Sequence, residues 1–212
     1  MVATILTRSP TAGSQDLNLN MNTTDLQIIS FKSQKDWASW LEKNHAGSNG
    51  IWLRFYKKGS GVKSVTHAEA LDEALCYGWI DGQINKHDEH SWIHKFTPRR
   101  SRSIWSKRNI EHVDRLTKGG KMKPSGLKEV EAAKVDGRWE KAYDAPGTMQ
   151  VPEDFLKELS RNKKAKIFFE TLNKANLYSI AWRLQTAKKP ETRARRMQAI
   201  LTMLIKGEKF HD

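Results

Sequence analysis

Apolar residues recur along this chain with two different periods, and the switches between them predict the order of its elements. Leu26 to Phe31 reads as a short strand, with Leu26, Ile28 and Ser30 on one face. Ser33 follows in an N-cap position, ahead of Trp37, Trp40 and Leu41 at i, i+3 and i+4, and Gly47 lies just past the end of that predicted helix. Gly50 to Lys58 alternates, with Ile51, Leu53 and Phe55 pointing one way and Trp52, Arg54 and Tyr56 the other. Gly59, Ser60 and Gly61 make a turn. Thr66-His67-Ala68-Glu69 is a capping box, in which hydroxyl and carboxylate each accept a backbone N–H of the other residue. It opens a helix with Leu71, Ala74 and Leu75 on its buried face, and Gly78 ends that helix. Trp79 to Ile84 and Ser91 to Phe96 predict an antiparallel pair around a polar connection. Ser106 caps a helix over about Lys107 to Lys118, stopped by Gly119-Gly120, and a further helix runs through about Leu127 to Val135.

Beyond Val151 the period is helical throughout. Pro152 starts a helix with Phe155, Leu156 and Leu159; Ile167, Phe168 and Leu172 follow, then Leu177, Ile180, Ala181 and Leu184, then Met197, Ile200, Leu201, Leu204 and Ile205. Tyr143 to Val151, punctuated by Pro146 and Gly147, is the best boundary. The expected organisation is a disordered tail over 1–24, an α+β domain over 25–145, a linker over 146–150 and an all-helical region over 151–210. The expected fold class is therefore α+β, a small and mainly antiparallel sheet with helices followed by helices alone. Met21, just ahead of the first strand, is a second candidate start beside Met1.

Charge adds a bias to this picture. The chain of 212 residues carries 37 Lys+Arg against 24 Asp+Glu, a net +13. Between Lys157 and Lys209 the net charge is +10, so the excess is concentrated on the helical part. A single cysteine, Cys76, excludes a disulfide within the chain and a Cys-rich zinc site. It sits one turn before a helix end, where a thiolate is disfavoured, and reads as a small buried hydrophobe. No run of about 18 apolar residues exists, so no spanning helix is expected. Residues 1–24 lack the basic and apolar regions of a secretory signal, which points to a cytoplasmic protein.

Several blocks, in order, resemble one family. Glu73-Ala74-Leu75-Cys76-Tyr77-Gly78-Trp79-Ile80-Asp81-Gly82 comes first, then Phe96-Thr97-Pro98-Arg99-Arg100. Ser103-Ile104-Trp105-Ser106-Lys107-Arg108-Asn109 and Gly120-Lys121-Met122 follow, and Ala187-Lys188-Lys189-Pro190-Glu191-Thr192-Arg193-Ala194-Arg195-Arg196 closes the series. Together, from about residue 28 to 209, they resemble the YdeI/OmdA family, also described as bacteriocin-protection or OmpD-associated. The resemblance implies a role in resistance to antimicrobial peptides, association with an outer-membrane porin and a periplasmic site. It implies no established reaction.

The densest candidate chemistry lies between Lys95 and Arg108, which holds six basic residues and no acidic one. Arg99, Arg100 and Arg102 offer planar donors to phosphate or carboxylate, and Ser103, Ser106 and Asn109 add polar groups at a helix start whose amides are free. Trp105 would stack on a ring, and Asp81, followed by Gly82, would orient a ligand or act as a base. The alternative has Arg99 and Arg100 paired with Asp81 or Glu73, Trp105 in the core and Asp81 closing an Asx turn. His87, His90 and His94 lie close together, but His87 and His90 fall in a connection too loose to hold a metal, so no metal site and no cofactor are expected. Trp37, Trp40, Trp79 and Trp182 fit core positions; Trp52 and Trp92 are the candidates for exposed stacking.

Three functions fit these features. The first is a pocket for a small anionic ligand, built on the arginine segment. The second is an envelope-associated interaction protein, engaging a protein partner as the family resemblance implies. The third is a nucleic-acid-binding module, suggested by the net charge but without a recognised motif.

Overall fold

The computed structural model describes residues 26–145 and 147–212; the tail expected over 1–24 lies outside the described residues. Twelve elements follow in order: β1 (Ile28–Ile29), α1 (Gln34–Asn44), β2 (Ile51–Tyr56), α2 (His67–Cys76), β3 (Trp79–Lys86), β4 (Ser91–Pro98), α3 (Lys107–Lys118), α4 (Pro124–Val135), α5 (Glu153–Ser160), α6 (Lys163–Phe169), α7 (Lys174–Gln185) and α8 (Pro190–Lys206). The fold is α+β. The sheet order is β1-β2-β4-β3, with β1 parallel to β2 and the other two pairings antiparallel.

Local chemistry explains most boundaries. Ser33, Thr66 and Ser106 accept the backbone N–H three residues on, and Thr66 and Glu69 form the full capping box. Gly78, at φ 77°, lets the chain reverse from α2 into β3. Two expectations shift. In β1 it is Ile29, the register partner of Leu53, that packs on the core, while Ile28 is 47% exposed. A strand paired to a core-facing residue must point its side chain the same way. In α6, Ile167 is 57% exposed, so its apolar period overstated the buried face.

Register decides what the sheet presents to its helices. Ile51, Leu53 and Phe55 stand opposite Phe96, His94 and Trp92 on β4, and Asp81 on β3 stands opposite Phe96. Directly opposed residues share a face, so His94 and Asp81 lie on the apolar side. Trp92 stacks on Phe55 at 5.5 Å and does not present a free platform, contrary to expectation. Trp52 is half-buried on the opposite face, with the Lys95 ammonium 5.9 Å from its ring.

Among the described residues, buried apolar side chains form two clusters. One joins the sheet to α1, α2, α3 and α4 around Trp37, Leu53, Trp79, Phe96 and Trp105. The other joins the carboxyl-terminal helices around Phe155, Ile180, Leu184, Ile200 and Leu204. Tyr143 meets Trp182 edge-on, and Asp144 exchanges two hydrogen bonds with Gln185.

A charged link ties α2 to α3. Asp72 accepts from Arg115 Nη2 and from His112 Nδ1, each at 2.7 Å. Burial alone would raise the Asp72 pKa, but those hydrogen bonds and charges bring it below the ordinary aspartate range. A depressed carboxylate contributes stability above its unfolded pKa and loses it as acid protonates the folded group. Asp72→Asn should therefore lower Tm by about 1–3 °C near neutrality. Below about pH 4, the ordinary aspartate value, the gap should close. Thermal melts across pH 3–7 (roughly the window of that titration) check this, and a gap independent of pH would contradict it.

Candidate functional site

The arginine segment leaves β4 as the chain turns toward α3, and its arginines diverge. Arg99 folds inward and is 7% exposed, whereas Arg100 and Arg102 are exposed. The Arg99 guanidinium lies 3.5 Å from the centre of the Trp105 ring, and its Nη1 donates to the Ile104 carbonyl at 3.3 Å. Its Nε and Nη2 are buried without a hydrogen-bond partner among the described residues. Burial pushes its pKa down to about 10, against the opposing charges of Glu129, Tyr143 and Asp81. Arg138 shows the usual solution by contrast: also buried, it is held by Asp136 at 2.6 Å and donates to the Ser103 carbonyl.

The other residues expected there are occupied by the protein itself. Trp105 is 2% exposed, with Arg99 on its ring and Trp139 at 4.9 Å, so it offers no free stacking surface. Ser103 Oγ accepts the Arg100 N–H, and Ser106 Oγ accepts the Asn109 N–H. Lys107 N donates to the Tyr143 carbonyl. These bonds satisfy amides that an anion at the opening of α3 would need. What does gather is different: Arg99 and Arg100 line a cavity of about 330 Å³ with Lys95, Thr97, Asn49 and Leu26. Three of its residues are basic and none is acidic. Lys95, counted in the basic run but not named as a site residue, joins them because Lys95, Thr97 and Arg99 stand at alternate positions through the end of β4.

Asp81 belongs to another group. It accepts from His67 Nε2 at 3.2 Å, and His94 Nε2 stands 3.7 Å away while contacting the Gly82 carbonyl at 3.1 Å. Burial would raise the Asp81 pKa, but His67 and His94 bring it below the ordinary value. Burial holds the His94 pKa down, against the pull of Asp81. The His67 and His94 rings lie nearly parallel, 4.7 Å apart. The predicted pairing of Arg99 or Arg100 with Asp81 is not formed, and Glu73 instead accepts from Gln34 at 2.7 Å. His94 thus has partners 13 and 27 residues away, not the adjacent His87 and His90. No local spacing signals His67.

Two further cavities flank these groups. One, about 760 Å³, is lined by His67, Trp92, Phe55, Lys57, Lys58 and Lys63 among others. The other, about 420 Å³, lies where Ile104, Arg138 and Tyr143 meet Gln185, Thr186 and Lys188. Burial raises the Tyr143 pKa there, opposed by a hydrogen bond with Ser106. Cys76 is buried and its thiol is pushed up to about 12, chiefly by burial, so it is no nucleophile.

Comparison with known families separates the two parts of the chain. Residues 29–129 match a family model described as a domain of unknown function, DUF8412. Residues 148–207 match the model described as Bacteriocin-protection, YdeI or OmpD-Associated. No curated protein and no solved structure matches. Among the described residues no helix is long and apolar enough to cross a membrane. The motif blocks between Glu73 and Met122 thus fall under the first match, and the Ala187–Arg196 block under the second. The carboxyl-terminal helices that carry that block thus match the YdeI/OmdA family model, and the residues ahead of them match DUF8412.

Proposed function

We propose that the protein binds a small anion, bearing phosphate or carboxylate, in the cavity lined by Lys95, Arg99 and Arg100. The observation that carries this reading is the Arg99 guanidinium. A buried cation without a carboxylate partner costs folding free energy, and it is retained most economically when a ligand supplies the missing charge. Lys95 and Arg100 add charge at the same cavity, and a concave basic surface concentrates anions. Asn49 and Thr97 add neutral polar side chains at its wall. The reading gives Trp105 a supporting role beneath Arg99 instead of contact with the ligand.

The family description speaks of bacteriocin protection and OmpD association. Anion binding fits that description through phosphate-bearing envelope components, which cationic bactericidal peptides also seek. Within this proposal, occupancy of the Arg99 cavity by such a group is what would link the protein to the envelope.

Thermal stabilisation by inorganic phosphate, pyrophosphate and citrate tests the site. At an anion concentration 100-fold above Kd the folded state should gain about 2.7 kcal/mol, or roughly 5–10 °C in Tm. Arg99→Met should fold as well as the parent, because it removes a desolvated charge while keeping an unbranched chain over Trp105. It should lose at least about tenfold in affinity, the effect of one charged hydrogen bond. Arg102→Met, on the exposed turn, should keep the stabilisation. Stabilisation that survives Arg99→Met, or that no anion produces, would overturn the reading.

A further inference from the structure

We infer that His67, Asp81 and His94 form a binding site for a divalent transition-metal ion of the zinc or cobalt class. One nitrogen of each imidazole and one Asp81 oxygen lie within 4.8 Å of one another. The three residues come from the start of α2, from β3 and from β4, so the fold itself brings them together. Ligands about 2.0–2.1 Å from a tetrahedral ion stand about 3.3 Å apart. The Asp81 contacts, 3.2 Å to His67 and 3.7 Å to His94, bracket that separation.

The donor set selects the ion. Two imidazoles and one carboxylate suit borderline metals, whereas calcium and magnesium prefer sites made wholly of oxygen. Three protein ligands also leave a coordination position open. His67 lines the 760 Å³ cavity with Lys57, Lys58 and Lys63, so an exogenous ligand at that open position would be anionic. Holding the rigid half of the site is His94, which is 3% exposed on a central strand. His67 is partly exposed, and its ring, now nearly parallel to that of His94, must turn so that both nitrogens point at one ion.

As a purely structural network the group is incomplete. His94 Nδ1 is buried without a partner among the described residues, so the ring is not fully satisfied by them. Binding through His94 Nε2 replaces the proton shared with the Gly82 carbonyl and places one on Nδ1. That exchange weakens the site relative to a zinc centre whose histidines are all backed by acceptors. His67 does not incur this cost, since its Nδ1 is not among the buried orphan atoms.

The test is titration of the full chain, freed of metal by chelation, with Zn²⁺ in a calorimeter and with Co²⁺ by visible absorption. One equivalent should bind, and Co²⁺ should develop ligand-field bands of a low-coordinate nitrogen and oxygen site. Asp81→Asn and His67→Gln, both at partly exposed positions, should each weaken binding at least tenfold. His94→Ala should abolish it, and His67→Gln keeps the test decisive if removal of the buried His94 ring prevents folding. His87→Ala combined with His90→Ala should leave it intact, since those exposed residues stand outside the group. Binding that survives Asp81→Asn or His67→Gln, that disappears in the His87/His90 pair, or that is absent from the parent would overturn the assignment.

Discussion

Gly126→Ala should cost the protein about 3 kcal/mol, at the upper end of what overpacking a well-filled site does. Alanine is the better helix former by about 1 kcal/mol, and Gly126 lies in the first turn of α4, so propensity alone predicts a gain. Packing reverses the sign. A Cβ at this position would stand 2.2 Å from the Cys76 carbonyl oxygen and 2.8 Å from the Leu75 carbonyl oxygen. Both are backbone atoms at the end of α2, already tied to α4 by the Lys123 N–H, which donates to Cys76 O at 3.0 Å. Neither can swing aside as a side-chain tip would, so the helices must separate. Urea denaturation should show the loss, with a fall in Tm of roughly 6–12 °C for a chain of this size. Gly47→Ala, where an added methyl meets nothing within 4 Å, is the control and should change stability by less than about 0.5 kcal/mol. Equal stability of the two variants would contradict the α2–α4 approach.

Trp37→Ala should be the most damaging truncation in the sheet domain, about 3–5 kcal/mol. The ring is wholly buried, stacked on Trp40 at 5.4 Å and set edge-on to Phe96 at 5.8 Å and Trp79 at 6.3 Å. Its Nε1 also donates to the Ala70 carbonyl at 3.0 Å, joining α1 to α2. Truncation removes apolar burial, the aromatic contacts and that bond together. Trp37→Phe separates them: it keeps a ring in the cluster and loses the bond and some volume, so about 1–2 kcal/mol is expected. Against a total stability of about 5–15 kcal/mol, the alanine variant should be partly unfolded at moderate temperature, visible as loss of near-ultraviolet circular dichroism. A small effect for Trp37→Ala would mean that the cluster does not carry the domain. Arg99→Met gives the opposite signature to both, unchanged or improved stability with anion binding lost.

The caps and the β2 alternation were legible because their causes lie within a few residues. A hydroxyl three residues from an amide can be read directly, as at Ser33, Thr66 and Ser106. Starts without a side-chain cap were read less well. The helix expected near Leu127 begins at Pro124, where proline supplies the fixed φ of a first turn and Lys123 makes no side-chain cap. The parallel pairing of β1 was not legible, since a two-residue strand carries too little pattern to choose a partner.

The candidate sites divide along the same line. The sequence singled out Arg99 and Arg100 by composition, but only the turn after β4 sends one inward over Trp105 and the other outward. His94 was singled out for its neighbours His87 and His90, yet its contacts are His67 on another helix and Asp81 on another strand. Asp81 was read beside arginines and stands between histidines.

What the sequence by itself determined, then, is the class of fold, most element boundaries, the buried thiol and the family blocks. Those depend on periodicity and on hydrogen bonds that close within a turn. The tertiary structure alone decided which polar side chains share a space, because α2 must lie on the sheet before His67 meets His94, and β3 must pair with β4 in register before Asp81 joins them. Contacts between residues 14 to 27 positions apart follow from how whole elements pack, and no local pattern encodes that distance.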